Sequence, residues 1–210
     1  MRFLNINSFT ENTIETIPFK WGSINDSFTS KELALQLCAK FPKKNFTHSM
    51  KESSDKMYNM YNLPLITNNN IMISNQDNID NAWLELAKEL LSDTYREALG
   101  EFVGESLKSL KMDAIFWEYK KECWLDAHLD KKEKLVTQIF YFNEKWEDDW
   151  GGHLLILNSK NIKDLSHKMA SFSNSSAIIY RDENSWHAVE KVSNTALESR
   201  KSLQVIFYKN

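Results

Sequence analysis

From residue 111 onward the chain is a succession of short runs rich in β-branched and aromatic residues, and no other feature constrains its fold as strongly. The runs are DAIFWEY, KLVTQIFYF, HLLIL, SAIIYR, WHAVEKV and SLQVIFY, bounded by polar or glycine-containing turns such as NEKWEDDWGG and SNSS. Short strands at regular spacing point to an antiparallel sandwich or barrel. Ahead of them the period changes. Between Ile79 and Leu110, the residues Trp83, Leu86, Leu90, Leu91, Tyr95, Ala98, Phe102 and Leu107 fall at helical steps, with a break expected near Asp93 or Gly104. Ser30 is placed to cap a short helix through KELALQLCAKF, which stops before Pro42. The expected class is α+β with a mostly β core: supporting helices packed on a barrel or jelly roll.

Residues 43–78 are polar and Asn-rich around the cluster KMYNMYNLPLI. The stretch is too long for an ordinary connection, so it reads as irregular structure, either a mobile lid or a surface insertion. No repeat is present, and 210 residues favour one domain, with 1–110 as an elaboration carrying the helices and 111–210 as the core. Seven Trp and twelve Phe suffice for a sizeable interior. A net charge of −3 gives no basis for a nucleic-acid surface. Cys38 and Cys123 are too few and too far apart for a disulfide framework or zinc ribbon. No run is long enough for a membrane span, and MRFLNINSFTEN lacks a secretory h-region, so a cytoplasmic protein, monomer or homodimer, is expected.

Within the strand-rich part, residues 126–130 read DAHLD. On a strand, residues i and i+2 point the same way, so His128 and Asp130 would converge on one point. With His187 further on, they supply the protein's share of a 2-His-1-carboxylate metal site, which leaves three adjacent positions open. A lone histidine is more often a satisfied polar residue than a ligand. What sets these two apart from His48, His153 and His167 is the sequence around them.

Tyr119 lies nine residues before His128, and QIFYFNEKW carries Tyr141 and Asn143. WGGHLLIL supplies Gly151, Gly152 and Leu154, WHAV gives His187 and Val189, and ESRKSLQVIFY gives Arg200 and Ser202. In this order the stretch from Tyr119 to Tyr208 resembles the iron(II)- and 2-oxoglutarate-dependent oxygenases, in particular their prolyl-hydroxylase-like branch. The resemblance implies a double-stranded β-helix, with Fe(II), 2-oxoglutarate as co-substrate, and O2. His128, Asp130 and His187 would be the metal ligands and thereby the catalytic group. Arg200 would pair with the far carboxylate of 2-oxoglutarate, because a guanidinium fork binds two oxygens at once. Ser202, Tyr141 and Tyr119 would add hydroxyl donors, and Ile139, Leu154 and Val189 apolar walls.

The implied activity is a dioxygenase that hydroxylates an unactivated C–H bond of a small molecule, amino acid or peptide, releasing succinate and CO2. The carboxylate at Asp130 favours hydroxylation over halogenation. Departures from the branch are the long spacing between His187 and Arg200, Lys201 beside Arg200, and Ile206 and Phe207 where many protein hydroxylases carry a Trp. The competing readings are a catalytically inactive, cupin-like jelly roll that binds or senses a ligand, and a cupin-type enzyme that does not use 2-oxoglutarate. Neither needs a buried guanidinium on the last strand. Candidate substrate contacts are Trp124, Asp126, Lys56, Tyr58, Tyr61, Trp146 and Arg181. His153 is expected to face away from the metal and His167 to be solvated. Glu144, Glu147, Asp148 and Asp149 read as a turn that Trp146 and Trp150 brace, unless the tryptophans form the substrate mouth. No nucleic-acid or membrane partner is expected.

Overall fold

The computed structural model describes residues 1–52, 56–72, 79–169 and 172–209. Its helices are α1 (Ser8–Glu11), α2 (Lys31–Ala39), α3 (Asn81–Leu90) and α4 (Asp93–Val103). Their ends follow from single residues. The Ser30 hydroxyl accepts from the Leu33 N–H, the Asp80 carboxylate from Ala82 N–H and the Ser92 hydroxyl from Tyr95 N–H, while Gly104 closes α4 in the left-handed region.

The strands are β1 (Ile14–Glu15), β2 (Trp21–Asn25), β3 (Thr47–Lys51), β4 (Tyr58–Thr67), β5 (Asn70–Ile71), β6 (Met112–Tyr119), β7 (Trp124–His128), β8 (Lys134–Tyr141), β9 (Leu154–Leu157), β10 (Leu165–Met169), β11 (Ser175–Tyr180), β12 (His187–Val189) and β13 (Arg200–Tyr208). They pair antiparallel in the order β1-β2-β11-β8-β13-β6-β4-β7-β12-β9-β10, with β3 and β5 added to β4. The sheet curls into the jelly-roll half-barrel of a double-stranded β-helix.

Alternation along the central strands divides core from cavity. Leu203, Val205 and Phe207 of β13, Ala114 and Phe116 of β6, and Val136 and Phe140 of β8 join the cluster that receives Trp83, Leu86 and Leu90 of α3 and Tyr95 and Leu99 of α4. Burying each leucine, valine or phenylalanine among them stabilises the fold by about 1.5–3 kcal/mol. The opposite face carries Arg200, Ser202, Gln204, Ile206 and Tyr208 of β13 and Ile115, Trp117 and Tyr119 of β6, which look into the barrel.

The N-terminal region contributes strands as well as helices. Of the stretch 43–78, expected to be irregular, the described residues are largely strand: β3 and β4 form a hairpin, and one edge of β4 pairs with β6 through Tyr61–Ile66 and with β7 through Tyr58 and Asn59. Pro64 hid this strand in the sequence. The register between β4 and β6 shifts between Pro64 and Ile66, and such a bulge is where a strand tolerates a residue without an N–H. The lid residues expected at 53–55 and 73–78 lie outside the described residues. Among the described residues no helix is long and apolar enough to cross a membrane.

Candidate metal centre and its cavity

His128 ends β7, Asp130 follows in the turn to β8, and His187 opens β12, where it pairs in register with His128. Asp130 therefore lies just past the strand on which alternation placed it. All three are buried, and one ligand atom from each lies within 4.8 Å of the others. The imidazole centroids are 4.2 Å apart, and His128 Nε2 is 3.9 Å from Asp130 Oδ1. His128 Nδ1 bonds to the Asp126 carbonyl and His187 Nδ1 to the Ser185 carbonyl, each at 2.8 Å. A carbonyl only accepts, so each Nδ1 carries the proton and each Nε2 presents its lone pair toward Asp130.

Electrostatics favour the ligating forms. Burial pushes both imidazoles below their ordinary range, and His187 and Lys56 push His128 further the same way. Burial would raise Asp130, but Lys134, His187 and His128 together hold its carboxyl well below the usual range. Lys134 Nζ donates to Asp130 Oδ1 at 2.6 Å, Thr137 Oγ1 to Oδ2 at 3.3 Å and Arg181 Nε to the Asp130 carbonyl at 3.1 Å. Two neutral nitrogens and one ionised carboxylate on three sides suit a divalent iron and leave its other positions open.

The group faces a cavity of about 350 Å3 that also holds Arg200, Ser202, Tyr119, Ile139, Leu154 and Val189. Arg200 is only 1 % exposed, its Nη1 is 3.4 Å from Ser202 Oγ, and its guanidinium lies over the rings of Tyr119 at 5.1 Å and Tyr141 at 5.2 Å. Lys201 points the other way and pairs with Glu198 at 3.4 Å. Gly152 makes the arrangement possible: at φ +68° a Cβ there would stand 3.3 Å from Arg200 Cδ and 3.1 Å from Trp146 and Val192. Tyr141 borders a second, smaller cavity instead; its buried hydroxyl lacks a hydrogen bond of full geometry, and Arg200 is the polar group beside it.

Of the candidate substrate contacts only Lys56 lines the metal cavity. Trp124 Nε1 donates to Asp126, which accepts from the Met57 N–H, so this pair ties β7 to the segment ahead of β4. Tyr61 stacks on His48 outside the cavity with Lys120 over its ring, and Tyr58 packs in the cluster around Met60 and Val189. Trp146 donates to the Gly151 carbonyl and meets Trp150 edge-on, bracing the turn. Arg181 is buried against the Asp130 backbone. His153 bonds Glu190 and Asp148 and is absent from the cavity lining, while His167 is exposed on β10 against Trp21. Lining residues not anticipated are Met60, Ile115, Trp117, Leu125, Lys131, Glu133, Lys134, Gln204, Ile206 and Tyr208. Trp117 donates to Gln204 at 2.9 Å, and burial lowers the Lys56 ammonium to about 8. Extending the alternation from Arg200 and from Tyr119 would have found five of them: Gln204, Ile206, Tyr208, Trp117 and Ile115.

A family model described as the 2OG-Fe(II) oxygenase superfamily matches residues 114–208. This segment, a little under half of the chain, is similar to that superfamily. Over its strand-rich part the chain is thus similar to 2-oxoglutarate-dependent dioxygenases, a family that uses Fe(II), 2-oxoglutarate and O2. Solved structures share the chain's fold at low identity. A Pseudomonas putida prolyl-4-hydroxylase superposes with a TM-score of 0.63 at 16% identity, covering 90% of this chain and 92% of that one. A 2OG-Fe(II) oxygenase-family oxidoreductase from Burkholderia pseudomallei gives 0.64 at 11% identity, covering 90% and 85%. A Trichoplax adhaerens prolyl hydroxylase, in complex with a hypoxia inducible factor peptide fragment, gives 0.57 at 15% identity, covering 97% and 86%. Curated protein sequences contain no match to this chain.

Proposed function

We propose that the protein is an oxygenase that hydroxylates an unactivated C–H bond of a small molecule, amino acid or peptide, as 2-oxoglutarate and O2 become succinate, CO2 and the new hydroxyl. The observation that carries this reading is that one cavity holds both the buried His128–Asp130–His187 group and the buried Arg200. His128 and His187 would hold Fe(II) through Nε2 and Asp130 through Oδ1. When bound, the iron and its co-substrate supply the oxidising power that side chains lack.

The chain's own residues bind and orient. The Arg200 fork would accept the far carboxylate of 2-oxoglutarate, with Ser202 and Tyr119 donating beside it. The Tyr141 hydroxyl, beside Arg200 and without a hydrogen bond of full geometry, fits a further acceptor arriving there. Ile139, Leu154 and Val189 would keep water from the reacting centre. The peptide in the Trichoplax complex supports keeping peptides among the substrates.

The test is an anaerobic titration with Fe(II) and 2-oxoglutarate, followed by succinate measurement on admitting O2 with candidate substrates. Both ligands should bind, and succinate should form in the native protein but not in His128→Ala or His187→Ala. Binding of both without any succinate would replace this reading with an inert, ligand-sensing barrel.

A further inference from the structure

Arg200 is held in place from behind, and the inference drawn from this rests on the oxygenase reading above. On that reading the co-substrate spans from the metal group to the guanidinium. Whatever fixes the guanidinium then fixes the length of acid that fits. Its neighbours enclose it closely. The guanidinium lies over the Tyr119 ring at 5.1 Å and the Tyr141 ring at 5.2 Å, and its Nη1 is 3.4 Å from Ser202 Oγ. A Cβ at Gly152 would stand 3.3 Å from Arg200 Cδ. Tyr119 and Ser202 line the metal cavity with Arg200, whereas Tyr141 does not.

Tyr141 instead borders the second cavity, of about 230 Å3, whose lining also includes Ser23, Asn25, Met169 and Ser176. On β8 it stands opposite Ser202 of β13 in register. It packs in one cluster with Ile139 and Leu154, which line the metal cavity, and with Met169, which lines the second. The ring thus has the guanidinium on one side and the second cavity on another. An arginine side chain reaches different distances by changing rotamer, but only where there is room. A buried, close-packed ring denies that room. Without the ring, the space beside the guanidinium would run on into the second cavity.

We propose that Tyr141 is a positioning residue, a stop that keeps Arg200 at the distance of a five-carbon 2-oxo diacid and thereby excludes longer ones. The stop is the ring, not the hydroxyl.

The experiment uses the full chain loaded with Zn(II), which does not turn over. 2-Oxoglutarate and 2-oxoadipate, one methylene longer, are titrated calorimetrically, and the ratio of their dissociation constants is the readout. The native protein should favour 2-oxoglutarate by roughly 10- to 200-fold, the worth of one methylene in a closed pocket. In Tyr141→Ala the two constants should come within about threefold of each other, most of that discrimination being lost. Tyr141→Phe keeps the ring and should keep the native ratio, even where both acids bind more weakly. Should Tyr141→Ala not fold, the ratio in Tyr141→Leu, a shorter apolar side chain, decides alone. A merely structural role would weaken both acids alike and leave the ratio unmoved, which would overturn the proposal. So would a native protein that binds the two acids equally, or a ratio lost in Tyr141→Phe. Zn(II) titrations of each variant are read separately. If the native protein binds neither acid, the oxygenase reading has failed and takes this inference with it.

Discussion

Replacing Tyr141 by Phe removes one oxygen atom and should move stability and co-substrate affinity in opposite directions. The hydroxyl is buried and lacks a hydrogen bond of full geometry; the polar group beside it is Arg200, whose guanidinium lies 5.2 Å from the ring centre. A buried polar group left unsatisfied costs about 1–3 kcal/mol, so Tyr141→Phe should leave the ligand-free protein as stable as before, or more stable by up to about that amount. If the hydroxyl serves the far carboxylate of 2-oxoglutarate, the variant forfeits a hydrogen bond to a charged group, about 1.5–3 kcal/mol. At about 1.4 kcal/mol per factor of ten, the dissociation constant should rise roughly 10- to 150-fold. Urea unfolding of the ligand-free protein reads the first quantity, and calorimetric titration of 2-oxoglutarate into the Zn(II)-loaded protein reads the second. Unchanged 2-oxoglutarate affinity would refute the reasoning, because the hydroxyl would then serve only the smaller cavity it borders. A loss of stability would mean that it has a partner after all.

Arg200→Leu should raise the 2-oxoglutarate dissociation constant by about 30- to 4,000-fold, the worth of roughly 2–5 kcal/mol for a desolvated charge pair. Lys201→Leu, whose ion pair with Glu198 is at the surface, should change it by no more than about 1 kcal/mol in the same titration. Arg181→Met releases the Asp130 backbone and should weaken Zn(II) binding about 10- to 100-fold in a chelator competition, as losses behind a ligand do. The ligand-free protein should lose stability as pH falls below the ordinary histidine range. His128 and His187 have folded values lowered by burial, so the unfolded chain binds more protons there, and the melting temperature should begin to fall below about pH 6.5. A melting temperature flat from pH 7 to about 5 would contradict that burial.

How far the sequence could be read depended on whether a residue's neighbours along the chain were also its neighbours in space. The runs that became β6, β8, β9, β11, β12 and β13 were visible because each alternates or is apolar throughout. The ordered motifs around His128, His187 and Arg200 drew those residues together across 73 positions. Strand β4 was hidden by Pro64 and by its asparagines, and nothing local announces the bulge that accommodates them. Strand β10 was hidden for the opposite reason: an edge strand with four exposed residues out of five reads as a polar loop. Substrate contacts fared worst. Trp124, Tyr61 and Arg181 looked suited to binding by type, but Trp124 is held by Asp126 with Lys191 over its ring, Tyr61 by His48 and Lys120, and Arg181 by the Asp130 backbone. Lys134, four residues from Asp130, was overlooked because the segment was read for its strand rather than for what its first residue touches.

Strand β13 takes its place between β8 and β6, both of which precede it in the chain. A ribosome therefore delivers the two flanking strands first and leaves a slot between them with two unpaired edges. The slot must stay open, against the tendency of such edges to find each other or a neighbouring chain, until Arg200–Tyr208 has emerged. The same nine residues carry the Arg200 guanidinium, so the sheet is completed and the cavity gains that charge in one event. A nascent chain stalled before residue 200 would hold His128, Asp130 and His187 yet lack the strand that joins β8 to β6. Such chains are expected to aggregate rather than to accumulate as a half-active enzyme.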